Sequence, residues 1–167
     1  MTRIYTVEFS AQDQTTADGN MDMFELRPSS TDGVQIALIG LTIANTSDVG
    51  DAQEEMIHWS LLKMTGGTFT SGTGGTTPTP QPIDHYDPAA KFAADCVNDA
   101  VATTTGTTAN LHQDGFNVRT GLSLPFIPPG WQAILPGIAN AALLVRFNTT
   151  VADTITWQGT AYVQEGI

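Results

Sequence analysis

Apolar and polar residues alternate along several stretches of this chain, and this alternation restricts most of the chain to β-strands. Residues 3–11 (RIYTVEFSA) place Tyr5, Val7 and Phe9 on one strand face, with polar side chains opposite. The same period, bounded by turn residues, recurs in residues 21–28, 116–124, 141–148 and 154–164. Strands at such short intervals predict an all-β fold, an antiparallel, jelly-roll-like β-sandwich of about eight strands. Its first and last strands are both amphipathic, and we expect them to pair.

Three further segments refine this prediction. Residues 34–46 (VQIALIGLTIANT) are apolar on both faces, which is typical of a central strand. Residues 54–64 fit a strand or a helix, and the β-rich neighbourhood favours a strand. The sequence DPAA at residues 87–90 resembles an N-cap followed by proline, which predicts one or two helical turns through Ala94. The fold is therefore expected to contain at most one short helix.

The composition favours β-structure and restricts the classes of partner. The 167 residues suit a single domain, and 14 % of them are charged, against about a quarter in ordinary proteins. Six basic and 17 acidic residues give a net charge of −11, which disfavours binding to nucleic acid or to an anionic membrane. Cys96 is the only cysteine, and it is predicted to be a small buried residue in a protein folded in a reducing cytoplasm. We identify no secretory signal and no apolar run long enough to span a bilayer.

Residues 65–82 (TGGTFTSGTGGTTPTPQP) are uncharged and nearly devoid of large side chains. A segment with so little apolar surface is not expected to order by itself, which predicts a flexible arm projecting from the domain formed by residues 1–167. Phe69 is its one large apolar residue and is predicted to anchor the arm on a neighbouring subunit. Pro78 and Pro80 stiffen the end of the arm and are predicted to belong to the same interface.

Motifs that carry chemistry are scarce. His58, His85 and His112 lack metal-pair spacing, and the acidic residues 46–55 (TSDVGDAQEE) lack the order of a calcium loop. Neither a nucleophile elbow nor a cofactor motif is present, so we expect no enzyme activity and no cofactor. An accidental carboxylate pair of the glycosidase type stays open, because its spacing is three-dimensional. Another alternative is a carbohydrate-binding sandwich that presents its tryptophans to a glycan.

The order of several motifs resembles the small head decoration, or cement, proteins of tailed bacteriophages. The motifs are TSDVGDAQEE, the Gly/Thr/Pro arm, DPAA, GFNVRTG at residues 115–121 and TITWQGTAYVQE at residues 154–165. The resemblance implies a β-sandwich that binds the major capsid protein on the outside of an assembled head, after synthesis in the host cytoplasm. It also implies a homotrimer without catalytic activity, but it assigns no individual binding residue.

One further segment is predicted to contribute to an interface. Residues 125–137 are rich in proline and carry Phe126 and Trp131. Together with the apolar residues on both faces of residues 34–46, they give more apolar surface than one small sandwich can bury. Phe126 and Trp131 are therefore predicted to lie at subunit contacts, and the excess apolar surface is a second reason to expect a homotrimer.

Overall fold

The computed structural model describes residues 2–47 and 55–166, and all regular secondary structure in this part of the chain is β-strand. Thirteen strands are present there: β1 (Arg3–Gln14), β2 (Met21–Pro28), β3 (Ile36–Asn45), β4 (Met56–Thr65), β5 (Phe69–Thr70), β6 (Gln81–Pro82), β7 (Phe92–Asp95), β8 (Thr103–Thr104), β9 (Thr107–Asn117), β10 (Leu122–Leu124), β11 (Ala133–Leu135), β12 (Ala142–Phe147) and β13 (Ile155–Glu165).

Two antiparallel sheets form the body. Sheet A has the strand order β10-β3-β13-β1-β6, with β11 also paired to β3, and sheet B has the order β7-β2-β12-β4-β9. When β5, β6, β7, β8 and β11 are left out, the orders of the remaining eight strands are β1-β13-β3-β10 and β2-β12-β4-β9. These are the orders of a jelly roll made of two Greek keys. The predicted all-β sandwich is confirmed, and so is the pairing of the first and last strands, which runs from Arg3 opposite Glu165 to Gln14 opposite Ile155.

The structure differs from the prediction in two details. The predicted number of strands, about eight, matches the jelly roll alone, since five short strands are added in the connections. The helix predicted for residues 87–94 is absent, and Phe92–Asp95 form β7 instead. The local helix signal is overridden because Phe92 and Ala94 pair with Pro28 and Leu26 of β2 and are thereby buried.

A bulge in β3 explains its unusual sequence. Tyr162 pairs with Gly40 and Val163 pairs with Leu38, so Ile39 is an extra residue in β3. This extra residue shifts the alternation by one position, so that four large apolar residues from both predicted faces enter the core between the sheets. The four core residues of β3 are Ile36, Leu38, Leu41 and Ile43.

An insertion between β4 and β9, residues 66–106, covers part of the outer face of sheet B and adds β6 to the edge of sheet A. It contains β5 to β8 and includes most of the segment predicted to be a projecting arm. In the structure this segment lies along the body: Phe69 and Thr70 pair with β8, Thr73 bridges Ala100, and Thr76 bridges Cys96. A second apolar cluster forms beneath the insertion, from Leu62, Met64, Ala102, Ala142 and Leu144.

Close backbone approach explains the glycines of this segment. A Cβ atom on Gly75 would overlap the carbonyl oxygen of Cys96, and one on Gly72 would overlap that of Ala100. Neither glycine is recorded with a positive φ, so their role is to let two backbones meet. The glycines of this segment were interpreted from the sequence as a sign of flexibility. In the structure they allow the segment to pack tightly against the backbone of residues 96–100.

Candidate interaction surfaces and a buried polar network

The connection between β10 and β12, residues 125–141, exposes large apolar side chains. Phe126 is 67 % exposed and Trp131 is 86 % exposed. Ile134 and Ile138 in the same connection are also exposed. No residue from 120 to 145 is charged, so this apolar surface is not interrupted by ionic groups.

Hydrogen bonds define the backbone of this connection although its aromatic side chains face solvent. Ile127 N–H donates to the carbonyl of Ile39 at 2.8 Å, where the bulge of β3 leaves that oxygen available. The Trp131 N–H donates to the Pro128 carbonyl at 3.0 Å, and Gln132 Nε2 donates to the Ile127 carbonyl at 3.1 Å. Ordered loops that carry exposed aromatic residues are typical of protein-binding surfaces, because little entropy is lost on contact.

The other predicted interface residues lie elsewhere. Phe69 is half-buried against the second apolar cluster of its own chain, on the outer face of sheet B. Pro78 borders a groove on the outer face of sheet A, and Pro80 is half-buried immediately before β6. The five residues thus fall into two groups, one in the insertion and one in the connection between β10 and β12.

A buried carboxylate joins the insertion to sheet B. Glu25 in β2 is fully buried. Its Oε1 accepts from the Ser71 hydroxyl at 2.6 Å and lies 3.1 Å from Arg27 Nε. Its Oε2 accepts from Gly72 N–H at 3.0 Å and from Asn98 Nδ2 at 3.3 Å. Desolvation by burial raises the pKa of Glu25 despite these donors.

Asp95 extends this network. Its carboxylate pairs with the Arg27 guanidinium and accepts from the Thr77 hydroxyl at 2.6 Å. The Ser71 oxygen lies 3.1 Å from Asp95 Oδ2, so one hydroxyl lies between two carboxylates. Ser71 and Thr77 both belong to residues 65–82, so the segment is attached to the body at two points.

A second buried ion pair lies further along β2. Arg146 binds Asp22 with two hydrogen bonds, at 2.6 Å and 3.0 Å, and donates to the Ala102 carbonyl at 2.9 Å. Asp22 also accepts from the Ala102 N–H at 2.7 Å. Both groups are networks of several polar contacts, although Arg27 Nε in the first has an ion-pair contact and no hydrogen bond. Such networks specify how covering segments dock.

Sequence reasoning missed the roles of Asp22, Glu25 and Asp95. One signal was present: β2 (MDMFELRP) carries three charged residues among apolar ones, in a chain where charge is scarce. Charged residues that interrupt a central apolar strand indicate that another segment covers that strand.

The outer face of sheet A carries a groove of about 820 Å³. Its lining is mainly hydroxyl and amide groups, with Glu8 as the acidic residue. The hydroxyl and amide residues at the centre of the lining are Thr42, Ser123, Gln158 and Thr160.

The three tryptophans do not form a joint platform. Trp59 and Trp157 are buried, at 2 % and 0 % exposure, and Trp131 alone faces solvent. A shared stacking surface, on which the glycan alternative relied, is therefore absent. Cys96 is buried as predicted, and burial raises the pKa of its thiol.

Residues 2–47 and 55–166 hold no cluster of three or more His, Cys, Asp or Glu side chains that could bind a metal ion. Most of the acidic segment at residues 46–55 lies outside the described residues. Within the described part, no helix is long and apolar enough to cross a membrane.

Comparisons with known proteins assign no family. No family model and no curated protein matches the chain. One similar solved structure is VP17, a capsid protein of bacteriophage P23-77, with 10 % identity and a TM-score of 0.23 over 99 % of this chain and 96 % of that chain. A likeness at this TM-score carries no argument about the present protein.

Proposed function

We propose that this chain is a structural virion protein, a decoration or cement protein that binds the outer surface of an assembled phage head and stabilises it. The proposal extends to the absence of enzyme activity. The observation that carries it is the connection at residues 125–141, where Phe126 and Trp131 are held exposed on an ordered, uncharged loop. The sequence resemblance to head decoration proteins supports the same function.

The physical basis is the recognition of one protein by another. Exposed aromatic residues on a preorganised loop are the residues that most often dominate binding energy when a partner pocket buries them. A jelly roll is found in capsid proteins and also in lectins, so the fold does not choose between these functions. The uncharged loop favours a protein partner, since phosphate and anionic lipid both require basic side chains.

Co-sedimentation with undecorated heads of the cognate phage tests this function. The doubly substituted variant Phe126→Ala/Trp131→Ala is expected to bind heads at least tenfold more weakly, because it loses two aromatic anchors worth ~1.4 kcal/mol or more together. Met56→Ala is the matched control, since Met56 is 53 % exposed outside this connection. Failure of the wild-type protein to sediment with heads would contradict the proposal.

We further propose a homotrimer, which would place three weak contacts at a threefold site of the shell. The bulge in β3 weakens one reason for this prediction, because Ile36, Leu38, Leu41 and Ile43 of that strand all enter a single core. The exposed connection is the remaining support. Sedimentation velocity that gives the monomer mass at every concentration would contradict a preformed trimer, and binding to heads would stand.

The groove on sheet A supports a second candidate, a carbohydrate-binding module. Hydroxyl, amide and carboxylate groups suit a sugar, although the groove lining contains no tryptophan. Saturable binding on a glycan array, together with failure to sediment with heads, would favour this candidate.

A further inference from the structure

The two outer faces of this sandwich are covered unequally. The insertion covers the outer face of sheet B around Leu144 with a second apolar cluster and a buried polar network. A groove of about 600 Å³ beside His58 and Asn148 stays open on the same sheet. On sheet A the side chains that point away from the core form an open surface. In the half of sheet A nearest the chain termini, Ile4, Thr6, Tyr162 and Gln164 are half-buried and Ile134 is exposed.

This half of the outer face of sheet A, which we call the bare face, carries no charged residue. Its side chains come from four adjacent strands: Ile4 pairs with Gln164, Thr6 with Tyr162, and Ala37 with both Gln164 and Ile134. The nearest acidic side chain of β1 on this side is Glu8, at the border of the polar groove. An uncharged surface of this kind is unusual on a protein with a net charge of −11.

Exposed apolar side chains flank the bare face on both sides. On the β1 side, Ile83 is 59 % exposed and Tyr86 is 86 % exposed, and Ile83 N–H donates to the Ile4 carbonyl at 2.9 Å. On the β3 side lies the connection with Phe126 and Trp131. Adjacent strands lie about 4.8 Å apart, so the two flanks are separated by roughly 19 Å across the sheet.

The area available on sheet A suits one protein partner. The bare face spans the five ladder residues 161–165 of β13, roughly 17 Å, which with the 19 Å width gives about 320 Å² of sheet surface. A stable interface buries about 800 Å² on each partner. The exposed side chains of both flanks supply the difference, whereas one loop alone does not.

We propose that the bare face, with its two flanks, is the surface through which this chain docks on the shell, with the outer face of sheet B facing away. This inference rests on the proposed function. Its occupant is an uncharged, nearly flat area of the shell protein with two apolar pockets roughly 19 Å apart. A lipid surface is disfavoured because Arg3 and Lys91, the cations near the Ile83–Tyr86 flank, are already paired with Asp87 and Asp32.

Lysine substitutions at two equally exposed residues test whether the chain docks through sheet A. Ile134 on the bare face and Leu111 in β9 of sheet B are each 42 % exposed. Ile134→Lys is expected to weaken co-sedimentation with cognate heads at least tenfold, because a charge is desolvated in an apolar contact. Leu111→Lys is expected to bind like the wild type. Thermal unfolding of both variants verifies that they fold.

The outcomes separate the two proposals. If the wild type does not sediment with heads, the proposed function fails. If the wild type binds and Ile134→Lys binds equally well, the function stands and the docking face is wrong. Loss of binding in Leu111→Lys alone would place the contact at the edge of sheet B. Self-association or sedimentation with neutral phosphatidylcholine vesicles that Ile134→Lys abolishes would assign the bare face to a second copy or to lipid, and would overturn the proposed occupant.

Discussion

The hydroxyl group of Ser71 donates a hydrogen bond to Glu25 Oε1 over 2.6 Å and thereby connects the insertion to a fully buried carboxylate of sheet B. The insertion is therefore attached through specific polar contacts as well as through the apolar cluster beneath it. Each kind of contact leads to a separate experiment on the isolated protein.

Ser71→Ala removes one donor from the buried carboxylate. Oε1 of Glu25 then retains the Arg27 guanidinium alone. We expect the free energy of unfolding to fall by about 1–3 kcal/mol, the usual cost of an unsatisfied buried acceptor. Urea unfolding measures this value. Ser123→Ala, at an exposed position of β10, is the control and is expected to change stability by less than about 0.5 kcal/mol. Equal stability of the two variants would mean that water replaces the Ser71 hydroxyl.

Gly75→Ala tests whether residues 65–82 are packed or mobile, because the two cases change the free energy of unfolding with opposite signs. The new Cβ would overlap the Cys96 carbonyl oxygen, so we expect a loss of about 1–3 kcal/mol. In a mobile arm the same substitution would stabilise the protein by about 0.4–1 kcal/mol, because the unfolded chain loses entropy. Gly19→Ala, with open space around it, is the control for urea unfolding.

Phe69→Ala is expected to lower the stability of the protein, whereas Phe126→Ala is expected to weaken its binding to heads. Phe69 packs on its own domain, so its removal is expected to lower stability by about 1–2 kcal/mol, part of the value for a fully buried side chain. Phe126 is exposed, so its removal is expected to change stability by less than about 0.5 kcal/mol and to weaken head binding. Thermal unfolding and co-sedimentation measure the two effects. If Phe69→Ala is as stable as wild type and binds heads poorly, Phe69 is a contact between subunits.

Glu25→Gln tests the raised pKa of this carboxyl group. Its pKa in the folded protein lies above the value of about 4.3 in an unfolded chain, so the folded state holds this proton to higher pH. The contribution of Glu25 to stability is therefore complete below about pH 4.3 and decreases as the pH rises through the folded pKa. We expect the stability of wild type relative to Glu25→Gln to fall as the pH rises above about 4.3.

Urea unfolding of both proteins over a series of pH values provides the measurement. Thr6→Val, at a half-buried position without an ionisable group, is the control for pH effects unrelated to Glu25. A relative stability that rises with pH would mean that hydrogen bonds outweigh desolvation at Glu25.

Local alternation was sufficient to predict the class of fold and most of the main strands. Residues 116–124, predicted as one strand, contain instead the end of β9, a turn and β10. The predicted face of residues 3–9 agrees with the core, where Tyr5, Val7 and Phe9 are buried. This prediction succeeded because a strand with one buried face must alternate with a period of two, whatever its partners are. The pairing of β1 with β13 also followed from their shared amphipathic pattern.

The candidate site was predictable only in part. Phe126 and Trp131 were identified from a proline-rich segment with large apolar side chains, and both are exposed. The bare face was not predicted, because which face of a sheet stays uncovered depends on where a distant insertion packs. The same reason applies to Trp59 and Trp157, whose burial is set by both sheets together.

The sequence by itself determined that this chain forms a charge-poor antiparallel sandwich, since period and composition act over a few residues. The tertiary structure alone decided the bulge at Ile39, which reverses the faces of the residues that follow it in β3. This bulge depends on the pairing of β3 with Tyr162 and Val163. The tertiary structure also decided the course of residues 65–82, whose own apolar surface is too small to order them. Their order comes from long-range contacts with Glu25 and Asp95, and from glycines that admit the backbone of residues 96–100.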